Sequence, residues 1–180
     1  IPYKVLSDSS DNHNQVAGWA VNESKKTNGP VVLLVEKNTF EKLENKKSVN
    51  IELDTLLARE EVINLLTKSF TKDYFFISST GKISRELYES RDNRDQDHSR
   101  DFLTVGSMGY SSQIAYGIAI KKPHTKIICL DGDGALLMHM GGMTTIGTSN
   151  LKNYNHIILN NGVHDSVGGQ NTYANKINFE

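Results

Sequence analysis

The 180-residue chain is 37% hydrophobic and carries 20 basic against 21 acidic residues, a net charge of −1 with histidine neutral. That balance supplies no global field for nucleic acid or an anionic membrane, so any basic site has to be local. A single cysteine, Cys129, allows no internal disulfide, which points to a reducing, cytoplasmic setting, and no apolar run nears the roughly 20 residues of a membrane helix. The length suits one medium domain and part of another, and the start at Ile1 rather than Met reads as an excised or processed piece.

From Asp11 to Lys26 the spacing of Val16, Ala17, Trp19, Ala20 and Val21 predicts a helix, ended by Asn28-Gly29. Val31–Val35 follows as a β-branched run without alternation, expected as a strand buried on both faces, a helix and strand without the rest of a sheet. Residues 37–53 are rich in Lys, Glu and Asn and read as a linker, with a solvated surface helix over Thr39–Lys46 as the other reading. A new domain is expected over 54–180. It begins with a helix to about Phe70, and a strand at Tyr74–Ile77 then runs into the turn Ser78–Gly81.

A helix over Ile83–Glu89 leads to a charged loop, Ser90–Asp101, and Phe102–Val105 forms the next strand. Gly106–Gly109 turns the chain into a small-residue helix that ends before Lys121. Ile127–Leu130 is a buried strand expected to stop at Asp131, with Cys129 a small buried hydrophobe within it rather than a nucleophile. A helix is expected from Ala135 to about Thr148, then a strand at His156–Leu159, the turn Asn160–Gly162 and another helix-like stretch. Strands alternating with helices predict an α/β fold, a mostly parallel sheet with helices on both faces.

Four strand ends carry glycine or small polar turns, and 11 of the 14 glycines fall at or after Gly106. Beyond the carboxyl ends of parallel strands, unpaired N–H groups favour phosphate oxygens. Asp133 would repel a phosphate unless a cation lay between them, and a hard divalent ion such as Mg²⁺ suits that place. At the strand Ile127–Leu130 the chain has neither G-x-G-x-x-G nor a G-K-[ST] phosphate loop, which weakens dehydrogenase and triphosphatase readings.

Gly132-Asp133-Gly134 followed by Asn160-Asn161, with Asp133 and Asn160 27 positions apart, resembles the metal motif of thiamine-diphosphate enzymes. Arg85-Glu86-Leu87, the run Arg100–Gly109 and the run Asn160–Gln170 narrow the resemblance to the decarboxylases of phosphonopyruvate, with those of sulfopyruvate as near relatives. The resemblance implies a thiamine-diphosphate-binding fold in which residues 1–36 are the end of a pyrimidine-binding domain and 54–180 most of a diphosphate-binding domain. It implies that Asp133, Asn160 and the carbonyl of Gly162 hold Mg²⁺, and that Gly132, Gly134 and Ala135 assist with the diphosphate. Thr80 and Gly81 would touch the diphosphate too. Gly106 and Ser107 would belong to a turn reaching the aminopyrimidine, and Met108 would wedge the cofactor into a bent form.

By the same resemblance the substrate is a 2-oxo acid bearing a phosphonate or sulfonate, and the site lies between subunits of a dimer or larger homo-oligomer. The residue that activates the cofactor is expected outside this chain, which alone should be inactive. His164 and Ser166 follow the metal turn closely enough to face substrate, with a packing role at a helix start as the other reading of His164. Asp165 reads as a carboxylate at a helix N-terminus rather than a metal ligand. Arg94, His98 and Arg100, with Arg91, either bind the substrate's oxyanion or pair with the aspartates of their own loop. A non-catalytic nucleotide-binding regulatory module is the alternative from another class.

Overall fold

A computed structural model describes residues 1–7, 13–41, 56–70 and 73–179. It divides into two compact units, Ile1–Lys47 and Ser48–Glu180. Most of the stretch expected as a linker lies outside the described residues.

In the first unit a strand β1 (Tyr3–Leu6), a helix α1 (His13–Thr27) and a strand β2 (Val32–Val35) form one parallel crossover, with Tyr3 opposite Val32 and Leu6 opposite Val35. The helix stops where Asn28 turns to φ 45° and the Gly29 amide donates back to the Ser24 carbonyl at 3.3 Å. Two sequence expectations change here. The strand does have a sheet partner, β1, and it is not buried on both faces in this chain, since Leu34 and Val35 are each 50% exposed.

The second unit carries a four-stranded, wholly parallel sheet. Its elements are α2 (Arg59–Ser69), β3 (Tyr74–Ser78), α3 (Lys82–Asp92), β4 (Asp101–Leu103), α4 (Ser111–Lys121), β5 (Lys126–Gly132), α5 (Asp133–Met138), α6 (Gly142–Thr148) and β6 (Tyr154–Leu159). The strand order is β4-β3-β5-β6. Alternate residues of β5 serve the two faces, as a strand's twofold period requires. Ile128 and Leu130 pack with Phe76, Ile63 of α2, and Ile83 and Leu87 of α3, while Ile127 and Cys129 pack with Ile77 and with Ala115 and Ala119 of α4. Each large apolar side chain in these layers contributes about 1.5–3 kcal/mol of burial free energy. Among the described residues no helix is long and apolar enough to cross a membrane.

Several boundaries differ from the sequence reading. The central strand does not stop at Leu130, because Asp131 and Gly132 stay in the ladder opposite Ile158 and Leu159. Helix α3 runs on to Asp92, taking Ser90 and Arg91 out of the expected loop, since the Arg91 guanidinium is anchored to Asp101 at 3.1 Å. The single helix expected up to Thr148 is two, broken at His139–Gly141. After Gly162 there is no long helix but a two-residue strand β7 (Val163–His164), a 3₁₀ turn at Asp165–Val167 and a strand β8 (Gln170–Asn171) antiparallel to β7.

This topology fixes where a ligand can sit. From β3 the chain moves to β4 on one side, and β5 then lies on the other side of β3. The connections leaving β3 and β5 therefore diverge, and a crevice opens beyond their carboxyl ends.

Candidate cofactor site

A cavity of about 300 Å³ occupies that crevice. Its walls include Thr80 and Gly81 after β3, Gly132 to Ala135 where β5 passes into α5, and Asn161 and Val163 to Val167 after β6, with Met108 entering from the turn beyond β4. Segments far apart in sequence meet there because the strands that end in them are hydrogen-bonded neighbours.

Asp133 begins α5 and is only 2% exposed. Among the described residues its carboxylate has one hydrogen-bond donor, the Thr172 hydroxyl, on Oδ2. Thr172 also donates its backbone N–H to the Gly162 carbonyl at 2.9 Å, and its hydroxyl accepts from the Ala174 amide at 3.3 Å. One buried threonine thus ties the acidic turn after β5 to the glycine turn after β6. Gly162 sits at φ 71°, a left-handed conformation that glycine adopts without strain, and open space lies where a side chain would be. Asn160 does not line the cavity; its Oδ1 accepts from the Gly162 amide at 3.0 Å, bracing the same turn.

His164 and Ser166 line the cavity and are held by close packing. A Cβ on Gly134 would come within 2.6 Å of His164 Cε1 and 2.8 Å of its Nδ1, so the ring lies flush on that glycine. Ser166 Oγ accepts the first amide of α3, from Lys82, at 3.2 Å, so it caps a helix end as well as facing the cavity. Asp165 between them accepts from Lys82 Nζ at 2.8 Å and from Arg59 at 3.2 Å, and Arg59 makes a two-pronged pair with Glu86 at 2.6 and 2.7 Å. The hydrogen bond from Lys82, aided by Arg59, holds the Asp165 carboxyl below the usual carboxylate range, against a smaller opposing effect of burial.

The turn beyond β4 is shaped by Ser107 at φ 54° and Gly109 at φ 90°, and a Cβ on Gly109 would lie 2.9 Å from the Ala135 carbonyl. That close approach seats the turn on α5 and brings Met108 to the cavity, whereas Gly106 and Ser107 lie outside its lining. Arg94, His98 and Arg100 lie outside it too. The Arg94 guanidinium reaches Thr67, Ser90 Oγ at 2.6 Å and the Asn64 carbonyl at 3.3 Å. His98 stacks on Tyr88 with centroids 4.2 Å apart.

Sequence reasoning did not reach Thr172, which sits in an unremarkable polar stretch, or Arg59, which lies 106 positions from Asp165. Lys82 and Arg85 stood directly after a turn already singled out and were open to inference. Beneath the acidic turn, Asp131 is fully buried, accepting from the Gly132 amide at 3.0 Å and lying 3.3 Å from His156 Nε2. Period-two spacing from Cys129 is the signal that puts Asp131 on the α4 face of the sheet.

The donor set fits a small hard cation with a phosphate ligand. Asp133 offers a buried carboxylate with one oxygen lacking a donor among the described residues, and Thr172, which donates to it, also donates its N–H to the Gly162 carbonyl just outside the cavity lining. Oxygen donors of this kind, completed by phosphate and water, suit Mg²⁺.

Residues 79–179 match the family described as thiamine pyrophosphate enzyme, C-terminal TPP binding domain. The chain is 38% identical over 121 residues to a phosphonopyruvate decarboxylase of Streptomyces viridochromogenes, covering 67% of this chain and 29% of that protein. It is 42% identical over 103 residues to a phosphonopyruvate decarboxylase of Streptomyces hygroscopicus, covering 57% and 24%. A sulfopyruvate decarboxylase subunit beta of Methanocaldococcus jannaschii is 36% identical over 118 residues, covering 66% and 60%. The matches thus take in less than two thirds of each relative's length.

Proposed function

Since this chain belongs to the thiamine pyrophosphate enzyme family through its C-terminal TPP-binding domain, we propose that it is the part of a phosphonopyruvate decarboxylase that binds Mg²⁺ and the cofactor's diphosphate. The reaction is the conversion of 3-phosphonopyruvate to phosphonoacetaldehyde and CO₂, a step of phosphonate biosynthesis in a cytoplasmic homo-oligomer. The observation that carries this reading is the meeting of the turns after β3, β4, β5 and β6 in one cavity around a buried, under-coordinated Asp133.

In this reading Asp133 would hold Mg²⁺, with Asn160 Oδ1 and the Gly162 carbonyl, which lie outside the cavity lining, completing the ligand set, and the amides of Gly134 and Ala135 would bind the diphosphate. Thr80 and Gly81 close the other wall, Met108 would press against the bound cofactor, and Gly106 and Ser107, outside the lining, would meet its aminopyrimidine. When bound, thiamine diphosphate supplies a nucleophilic carbon and an electron sink for loss of CO₂. His164, whose ring lies on Gly134 and lines the cavity, would be the group that exchanges a proton with substrate. Ser166 orients that loop by capping α3.

A sulfopyruvate decarboxylase is the second reading, favoured by relatives bearing that name at similar identity. The test is CO₂ release by the complete enzyme, with thiamine diphosphate and Mg²⁺, from phosphonopyruvate, sulfopyruvate and pyruvate side by side. The proposal requires phosphonopyruvate to have the highest kcat/KM, and a preference for either other acid overturns it. The 180-residue chain alone should release no CO₂ under the same conditions.

A further inference from the structure

The cavity's basic side chains are not equivalent. Arg59 is neutralised by Glu86 and Asp165, and Lys82 by Asp165. Arg85, one turn along α3, has no hydrogen bond or ion pair to its guanidinium among the described residues, although Glu86 is its neighbour and Glu89 lies one turn further on. It is also an exposed side chain.

A second cavity, of about 330 Å³, opens beside the first between α3 and the end of β4, and the two share Thr80, Gly81 and Arg85. The first holds the oxygen-donor turns suited to a cation and a diphosphate. The second has Tyr88, Leu103 and Val105 in its walls and one acid, Glu89, which disfavours an anion deep inside. An anion adjoining the cofactor is best placed at the shared lip, where the unpaired guanidinium is. Its planar fork matches two oxygens of a phosphonate or sulfonate.

We propose that Arg85 is the receptor for the tetrahedral oxyanion of the substrate, the phosphonate or sulfonate borne by the 2-oxo acid. The inference rests on the decarboxylase reading above, and it places the specificity cation on α3 rather than in the loop that carries Arg94, His98 and Arg100. A guanidinium at this lip favours acids with a second anionic group over pyruvate, which has only its carboxylate.

The experiment is calorimetric titration of the complete enzyme, wild type, Arg85→Gln and Arg85→Lys, with methylphosphonate, with acetate, and with thiamine diphosphate plus Mg²⁺. Methylphosphonate is titrated both with and without cofactor. Arg85→Gln should weaken methylphosphonate about 10- to 100-fold, as expected for removal of a charge-assisted pair, with Arg85→Lys losing less. Acetate and cofactor affinities should be unchanged. The proposal is overturned if wild type does not bind methylphosphonate, if the substitution leaves it untouched, if acetate is weakened equally, or if cofactor affinity falls, since Arg85 would then serve the diphosphate. Failure of wild type to bind cofactor defeats the decarboxylase reading instead, while the cofactor-free titration still reports on Arg85.

Discussion

Replacing Thr172 by Val keeps the shape of a nearly buried side chain, 7% exposed, and removes its hydroxyl. The Asp133 carboxylate then loses its one hydrogen-bond donor among the described residues while remaining in a site only 2% exposed. A hydrogen bond to a charged group contributes about 1.5–3 kcal/mol, and loss of one partner leaves the other's desolvation uncompensated. For a chain of this size that corresponds to a fall in Tm of roughly 5–10 °C. The main-chain bond from Thr172 to the Gly162 carbonyl survives the substitution, so the two oxygen-bearing turns stay together. Mg²⁺ and thiamine diphosphate should therefore restore part of the loss, because a cation can satisfy the stranded carboxylate. Thermal unfolding of wild type, Thr172→Val and Thr172→Ser, each with and without Mg²⁺ and cofactor, measures this. Thr172→Ser should behave nearly as wild type. A valine variant as stable as wild type, or one whose deficit grows when the ligands are added, would refute the bridge.

Cys129 is fully buried, and burial, aided by the nearby Asp131 charge, raises its thiol well above the ordinary range. It should resist a thiol-specific reagent in the folded protein and react at once after denaturation; fast native labelling would contradict the packing of the central strand. The ion cluster at Asp165 makes a pH prediction. A depressed carboxylate pKa contributes stability that is present above the unfolded value of about 3.9 and is lost as pH falls through the lower folded value. Asp165→Asn should therefore cost of order 1 kcal/mol near neutrality, a modest figure because the side chain is 35% exposed and screened. The gap from wild type should close only in strong acid, and denaturant titrations showing it close near pH 6 would exclude Asp165 as the titrating group.

How much of this was open to the sequence depended on range. The parallel sheet was legible because Phe75–Ile77 and Ile127–Leu130 are apolar runs bounded by turns, and the cavity because glycine and acid follow those runs directly. Boundaries set by partners were not. Asp131 looks like a strand breaker in isolation, yet it stays in β5 because β6 continues the ladder beside it. The first strand, Tyr3–Leu6, is short and becomes a strand only by pairing with Val32–Val35. Thr172 and Arg59 carry no local pattern, as their partners lie 39 and 106 positions away. The arginine-rich loop shows the reverse: charge density drew the eye to Arg94, whose guanidinium is occupied by Asn64, Thr67 and Ser90, while Arg85, seen only as part of Arg85-Glu86-Leu87, was given no role.

The central claim is that Asp133 organises a Mg²⁺ and diphosphate site, and its most direct test is cofactor affinity in wild type against Asp133→Asn in the complete enzyme. Calorimetry should find thiamine diphosphate binding only with Mg²⁺ present, and binding should be abolished by the asparagine, which lacks the charge that holds the cation. Mg²⁺-ATP should bind neither protein. Equal affinity of both proteins for the cofactor, or tight binding without a divalent ion, would contradict the account.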